Sequence, residues 1–365
     1  MTLPTTSRAI AVFPGRPGAV HRTEVAVPAP GPTEVMVQTI RVGVCGTDRE
    51  IIHGIIGAPP PGTNELVIGH EVLGRVIATG DMVTDLAEGD LVTATVRRPD
   101  GCPACAAGQP DMCLWGEYEE RGIVHRHGYM TEYWVEDRAW IIPVPKALEH
   151  IGILVEPLTV MEKALRQIDI IQRRMPWWEP KVAVVLGAGP IGILGSLLLR
   201  SRGIEVVTVA RSEHPTAASK VIEGAGAEYV STRRESLAAL TSRLGTIDIV
   251  IESTGSPRVP LDAIEMLTRD GVLALLSVTG SGTVPQVDAG RLNDRLVMGN
   301  NLVVGIVNAG LEDFHSAVEN VGLFERLWPG LQEQMFTERI PFDGDVESIA
   351  GKTTGIKTLI EFEQR

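Results

Sequence analysis

The chain has 365 residues, of which 44% are apolar and 22% charged, and its formal net charge is −13. That length supports two domains with separate cores, and the apolar share excludes wholesale disorder. The acidic balance argues against a nucleic-acid partner, which needs clustered Lys and Arg to displace counterions.

The first residues, MTLPTTSRAIAVF, lack a basic segment followed by an apolar run and a small-residue cleavage site. No secretory leader is expected, and cytoplasm is the default compartment. The first half then reads as short β-branched runs broken by Gly, Pro and Asp, at Glu34–Arg41, Leu66–Ala78 and Asp90–Val96. This is the texture of an antiparallel β domain. Between these runs, the Pro- and Gly-rich stretch His53–Asn64 predicts an extended surface loop.

From Glu156 the pattern changes. A helix is predicted over Pro157–Gln172, a strand over Lys181–Leu186, a helix over Ile193–Arg200 and a strand over Glu205–Ala210. Apolar runs at Ile247–Glu252, Gly271–Val278 and Leu302–Val307 then alternate with helical stretches such as Pro260–Thr268, the sequence form of a parallel sheet covered on both faces. Val182–Leu199 is nearly uncharged and long enough to span a bilayer, but GAGPIG within it predicts strand, turn and helix, so no membrane partner is expected. After Gly310 the chain turns polar and amphipathic, and IKTLIEF reads as a return to the first domain. The expected division is 1–156 with a lobe at about 97–116, then 157–309, then 310–365.

Two constellations carry chemistry. Gly187, Gly189 and Gly192, with Ala188, Pro190 and Ile191 between them, form GxGxxG directly after one strand and before a helix, the context of a dinucleotide-binding turn. The next strand ends at Arg211 and Ser212, where an acidic residue would read the ribose 2′-hydroxyl of NAD. Arginine there suits a 2′-phosphate, so NADP is expected over NAD, with Ser212 and His214 as lesser contacts and Glu213 opposing. Thr254, Gly255, Ser277 and Val278 lie at other predicted strand ends, where dinucleotides bind. The second constellation is Cys45, His70 and Glu71, a thiolate, an imidazole and a carboxylate suited to an open zinc site with one position left for substrate. Cys102, Cys105 and Cys113 form a separate CxxC then C cluster.

In this order CGTD, IGHE, the cysteine lobe, VEP and GAGPIG resemble the zinc-containing medium-chain dehydrogenases over essentially the whole chain. More narrowly RVGVCGTDREI, VRRPD, GQPDMC, ERGI with HGYM, GILVEPLTVMEKA, GIVNAG and IKTLIEF resemble the archaeal-type glucose dehydrogenases. The resemblance implies an α/β architecture, a GroES-like β-rich catalytic domain joined to a doubly wound Rossmann domain. It implies that Cys45 and His70 ligate a catalytic zinc with Glu71 and Glu156 close by, and that Asp48 supports the histidine. Thr47 would receive the substrate proton. Glu120, Glu156 and Asn308 would contact a sugar, and Asn308 could instead meet the nicotinamide; Lys357 would reach the cofactor or Glu156.

Relatives commonly carry four lobe cysteines around a structural zinc, whereas here Pro99 fills the first slot, so a lobe zinc would need Asp100 or another group. The alternatives are an empty lobe of reduced thiols or a Cys102–Cys105 disulfide. The implied reaction is oxidation of an aldopyranose at C1, D-glucose first, to its lactone, with hydride passed to NADP or NAD. A zinc-dependent polyol or secondary-alcohol dehydrogenase is the alternative, and a non-catalytic NADP-binding paralogue is disfavoured by the intact ligands. The family also implies a homodimer or homotetramer, using an apolar strand near the end of the sheet.

Overall fold

The computed structural model describes residues 2–18, 20–278, 285–351 and 355–362. The chain divides into two compact units, one of residues 1–159, 308–321 and 336–365, the other of residues 160–307 and 322–335. Residues 322–335 thus group with the second unit, whereas the sequence reading took all of 310–365 to the first. Packing explains the difference: Leu331 lies against Gly224 of the helix Ala217–Gly224, leaving no room for a side chain there.

The first unit is built around the strand Glu34–Val44, whose sequence EVMVQTIRVGV is almost wholly buried, as a central strand requires. It pairs antiparallel with Glu71–Thr79, Tyr133–Asp137 and Lys357–Glu361. Leu91–Ala94 and Ile141–Val144 extend one side, and Phe336–Pro341 joins Lys357–Glu361 in parallel. Thr6–Val12 pairs with His21–Ala26 and with Leu66–Val67 in a smaller sheet. Ile10, Val37, Val42, Ile51, Ile68, Tyr129 and Trp134 form the core.

The predicted strand Leu66–Ala78 is two strands in the structure, Leu66–Val67 and Glu71–Thr79, which belong to different sheets. The chain changes sheet at Gly69, whose φ of +90° is one that side-chain-bearing residues rarely adopt. That corner presents His70.

The second unit carries six parallel strands in the order Glu228–Ser231, Glu205–Ala210, Val182–Leu186, Ile249–Glu252, Val272–Leu275, Leu302–Gly305. The order reverses at Val182–Leu186, a topological switch point of the kind that binds dinucleotides. Val184, Val207, Val250, Leu240, Met266 and Leu273 are buried in its core. The uncharged Val182–Leu199 stretch resolves into the strand Val182–Leu186, a turn and the helix Pro190–Ser201. Among the described residues no helix is long and apolar enough to cross a membrane.

Candidate metal centre, cysteine lobe and cofactor turn

Cys45, His70 and Glu71 offer ligand atoms that all lie within 4.8 Å of one another. Two backbone devices bring them together. Cys45 caps the helix Gly46–Ile52. Asp48, fully buried in its first turn, takes the Cys45 N–H on Oδ2 at 2.8 Å and the Gly69 N–H on Oδ1 at 3.1 Å. One carboxylate therefore ties both ligand-bearing segments. Its Oδ1 also lies 3.6 Å from His70 Nδ1, which has no hydrogen-bond partner among the described residues. Thr47 Oγ1 sits 3.9 Å from Cys45 Sγ.

The electrostatics favour a cation. Desolvation, with added repulsion from Glu71, pushes the Glu156 carboxyl up to about 7, although His70 and Lys357 oppose the rise. Burial alone would lower His70, but the Asp48 carboxylate outweighs it and holds the imidazole well above its usual range. Three buried carboxyls and a thiol thus face one imidazole and one ammonium, a donor set that a divalent cation would balance. Lys357 forms its ion pair with Glu71 and donates to the Val44 carbonyl at 3.2 Å, so its ion-pair partner is Glu71 rather than Glu156.

In the lobe, Asp100, Cys102, Cys105 and Cys113 likewise place one ligand atom each within 4.8 Å of the others. Cys102 and Cys113 Sγ are 3.9 Å apart, close to the edge of about 3.8 Å that a tetrahedron of zinc–sulfur bonds gives. Backbone N–H groups of Cys105 and Leu114 point at Cys102 Sγ at 3.4 and 3.3 Å, and that of Gly116 at Cys113 Sγ at 3.3 Å. Against the upward push of desolvation, the N–H groups of Leu114 and Cys105 bring the Cys102 thiol below its ordinary value. Asp100 completes the set, 2.8 Å from Cys113 Sγ. All four cysteines are free, so the Cys102–Cys105 disulfide is absent.

Glu120 and Asn308 meet directly: Asn308 Nδ2 donates to Glu120 Oε1 at 2.8 Å. The same oxygen accepts a hydrogen bond from Arg97 Nε and pairs with its Nη2 at 2.9 Å; Arg97 is a residue the sequence reading passed over because VRRP offers no spacing signal.

In the second unit, Gly187 adopts φ +114°, and a Cβ on Gly192 would lie 1.9 Å from the Gly187 carbonyl oxygen. Gly189, by contrast, has nothing within 4 Å of its absent Cβ, and it caps the helix Pro190–Ser201 without a side-chain bond. Ala188, Pro190 and Ile191 complete this turn, which ends at the N-terminus of the helix Pro190–Ser201. Thr254 and Ser277 both donate to the buried Glu252, which sequence reasoning missed, while Val278 is exposed. Gly255 adopts a positive φ beside the Val278 carbonyl.

Arg211 and Ser212 are exposed at the end of Glu205–Ala210. His214 is engaged by Glu223 at 2.8 Å, and Arg234 reaches Glu213 at 3.3 Å, offsetting the acid that opposed a phosphate. The Ser231 hydroxyl binds the Arg211 carbonyl and the Arg233 N–H, bringing a second arginine into the same turn cluster.

Two family models match the chain, the alcohol dehydrogenase GroES-like domain over residues 31–146 and the glucose dehydrogenase C-terminus over residues 149–362. The glucose 1-dehydrogenase of Methanocella arvoryzae is 39% identical over 356 residues, covering 97% of this chain and 99% of that protein. That of Thermoproteus tenax is 37% identical, with 98% and 99% covered. The solved glucose dehydrogenase of Haloferax mediterranei, in complex with NADP, Zn and gluconolactone, superposes with a TM-score of 0.89 at 34% identity, covering 98% of this chain and 100% of that one.

Proposed function

The chain belongs to the glucose dehydrogenase family of zinc-binding medium-chain dehydrogenases, and from that premise we propose that it oxidises an aldopyranose, D-glucose first, at C1 to the lactone with NADP as acceptor. The observation that carries this reading is the convergence of Cys45, His70 and Glu71 within 4.8 Å around the Asp48 clamp. Cys45 and His70 would hold the metal directly, with Glu71 and Glu156 as carboxylates close to it. Zinc, when bound, supplies a Lewis acid that makes an alcohol proton easier to lose. Thr47 then receives that proton at Oγ1, and Asp48 keeps the imidazole in one tautomer.

Glu120, Glu156 and Asn308 bind sugar hydroxyls, which a simple alcohol would leave unpaired. The Gly187–Gly192 turn holds the pyrophosphate, Arg211 the 2′-phosphate, and Ser212, Thr254, Ser277, Val278 and Asn308 further parts of the cofactor. In the lobe we assign Asp100, Cys102, Cys105 and Cys113 to a second, structural zinc. The GroES-like catalytic unit, residues 1–159, 308–321 and 336–365, carries both metals in this reading, and the unit of residues 160–307 and 322–335 carries the dinucleotide.

The decisive experiment is metal analysis of purified protein beside a panel of D-glucose, D-galactose, D-xylose, D-sorbitol and 2,3-butanediol, with NADP and NAD as alternative acceptors. About two zincs per chain and an aldose preferred with NADP are expected. Preference for sorbitol or butanediol would replace the sugar reading by the polyol one. A homodimer or homotetramer is part of the proposal, supported by the edge strand Leu302–Gly305 with Val303 exposed, and light scattering decides it. The four unbridged cysteines support a cytoplasmic site of action, which thiol titration of protein from freshly lysed cells checks.

A further inference from the structure

Arg97 is 4% exposed, yet it carries a full charge, and every neighbour of its guanidinium belongs to one small construction. Nε donates to Glu120 Oε1 at 3.0 Å, and Nη2 lies 2.9 Å from the same oxygen as its ion-pair partner. Nη1 lies 3.5 and 3.4 Å from the carbonyls of Pro110 and Asp111, in the turn between Cys105 and Cys113. The Tyr118 ring covers the guanidinium with its centroid 3.6 Å from Cζ. Asn308 donates to the same Oε1, and its own Oδ1 is held by the Ala309 N–H at 2.8 Å. Asn308 also adopts φ +58°, a conformation that asparagine tolerates better than most residues. All these bonds to Glu120 fall on one oxygen; among the described residues no protein donor reaches Oε2.

Resting on the aldose reading above, we propose that Arg97 is a positioning residue for substrate recognition. It saturates Glu120 Oε1 together with Asn308, and so turns Oε2 into the single acceptor left for a substrate hydroxyl. A carboxylate with both oxygens loose would swing about its terminal torsion and lose directional discrimination; one pinned at Oε1 cannot. The fork geometry matters, since Nε and Nη2 are fixed in one plane, whereas a lysine ammonium supplies a point charge without that constraint.

The test is a double-mutant cycle between Arg97→Lys and Glu120→Gln, with kcat and KM measured at saturating NADP on whichever compound of the panel is the best substrate. Arg97→Lys is expected to raise KM for that compound about tenfold, the loss of roughly one charge-assisted hydrogen bond, with kcat held within about twofold and zinc content unchanged. In the Glu120→Gln background the same replacement should add less than about twofold.

Multiplying effects in the double variant, or a fall in kcat at unchanged KM, would overturn the proposal and leave Arg97 a purely structural ion. The aldose reading fails separately, through the identity of the best substrate, while the Arg97 effect is scored on that substrate whatever it is. Should Arg97→Lys not accumulate as folded protein, Tyr118→Leu loosens the guanidinium without removing it. It should raise KM about threefold, again only where Glu120 is intact. No such dependence on Glu120 would reject the assignment.

Discussion

The two candidate metal clusters are built from similar atoms by opposite means. The lobe draws all four donors from residues 100–113 and tunes its sulfurs with N–H groups of its own short turns. The buried cluster draws Cys45 from a helix cap and His70 from a sheet-changing corner, and its electrostatics come from side chains as remote as Lys357. A local cluster with a full set of protein donors makes a closed site, which stabilises. A long-range cluster of three donors ringed by surplus carboxylates makes an open one, which can exchange a ligand. The difference lies in who neutralises the charge: backbone dipoles in the lobe, ionisable side chains in the core.

The largest effect that would sharpen this contrast comes from Cys45→Ser. Turnover should fall by about 10³-fold or more and one zinc should be lost, while the other zinc and the far-ultraviolet circular dichroism persist. Loss of both metals would show that the clusters are not independent. Next, Asp48→Asn keeps the shape but leaves one acceptor oxygen for the Cys45 and Gly69 N–H groups, and so weakens both clamp and histidine support. A 10–100-fold drop in affinity for the catalytic zinc, measured by competition with a chromophoric chelator, is expected from about that loss of outer-shell charge. An unchanged affinity would make Asp48 a helix cap only.

The smallest effect on chemistry is expected in the lobe. Cys113→Ser should release the second zinc and lower the melting temperature by several degrees, yet leave kcat within about threefold. A collapse of kcat there would erase the distinction between a structural and a reactive site.

Much of this was legible in the sequence, and the exceptions share a cause. GxGxxG was readable because the strand before it and the helix after it are local, and the cysteine lobe because its donors are close along the chain. What stayed hidden depends on partners distant in sequence. Leu66–Ala78 reads as one apolar run, and only the two different sheets it serves break it at Gly69. Glu120 is named by the resemblance, but its burial and its partner are not readable until Arg97, on the paired strand, engages it in the interior. Lys357 could have met several acids, and the backbone places it on Glu71. Residues 322–335 join the second unit through apolar contacts that periodicity cannot assign to a particular neighbour.

The pairing of Lys357–Glu361 with Glu34–Val44 has a consequence for biosynthesis. Lys357 bonds to Val44 across a sequence separation of 313, with the whole six-stranded parallel sheet encoded between them. On the ribosome the unit begun first is therefore closed last. Its emerging sheet keeps a vacant slot beside Arg41–Val44 while the dinucleotide unit is synthesised and folds. An unpaired edge held open that long invites wrong partners, so nascent-chain quality control should act on the early half of this protein rather than the late one.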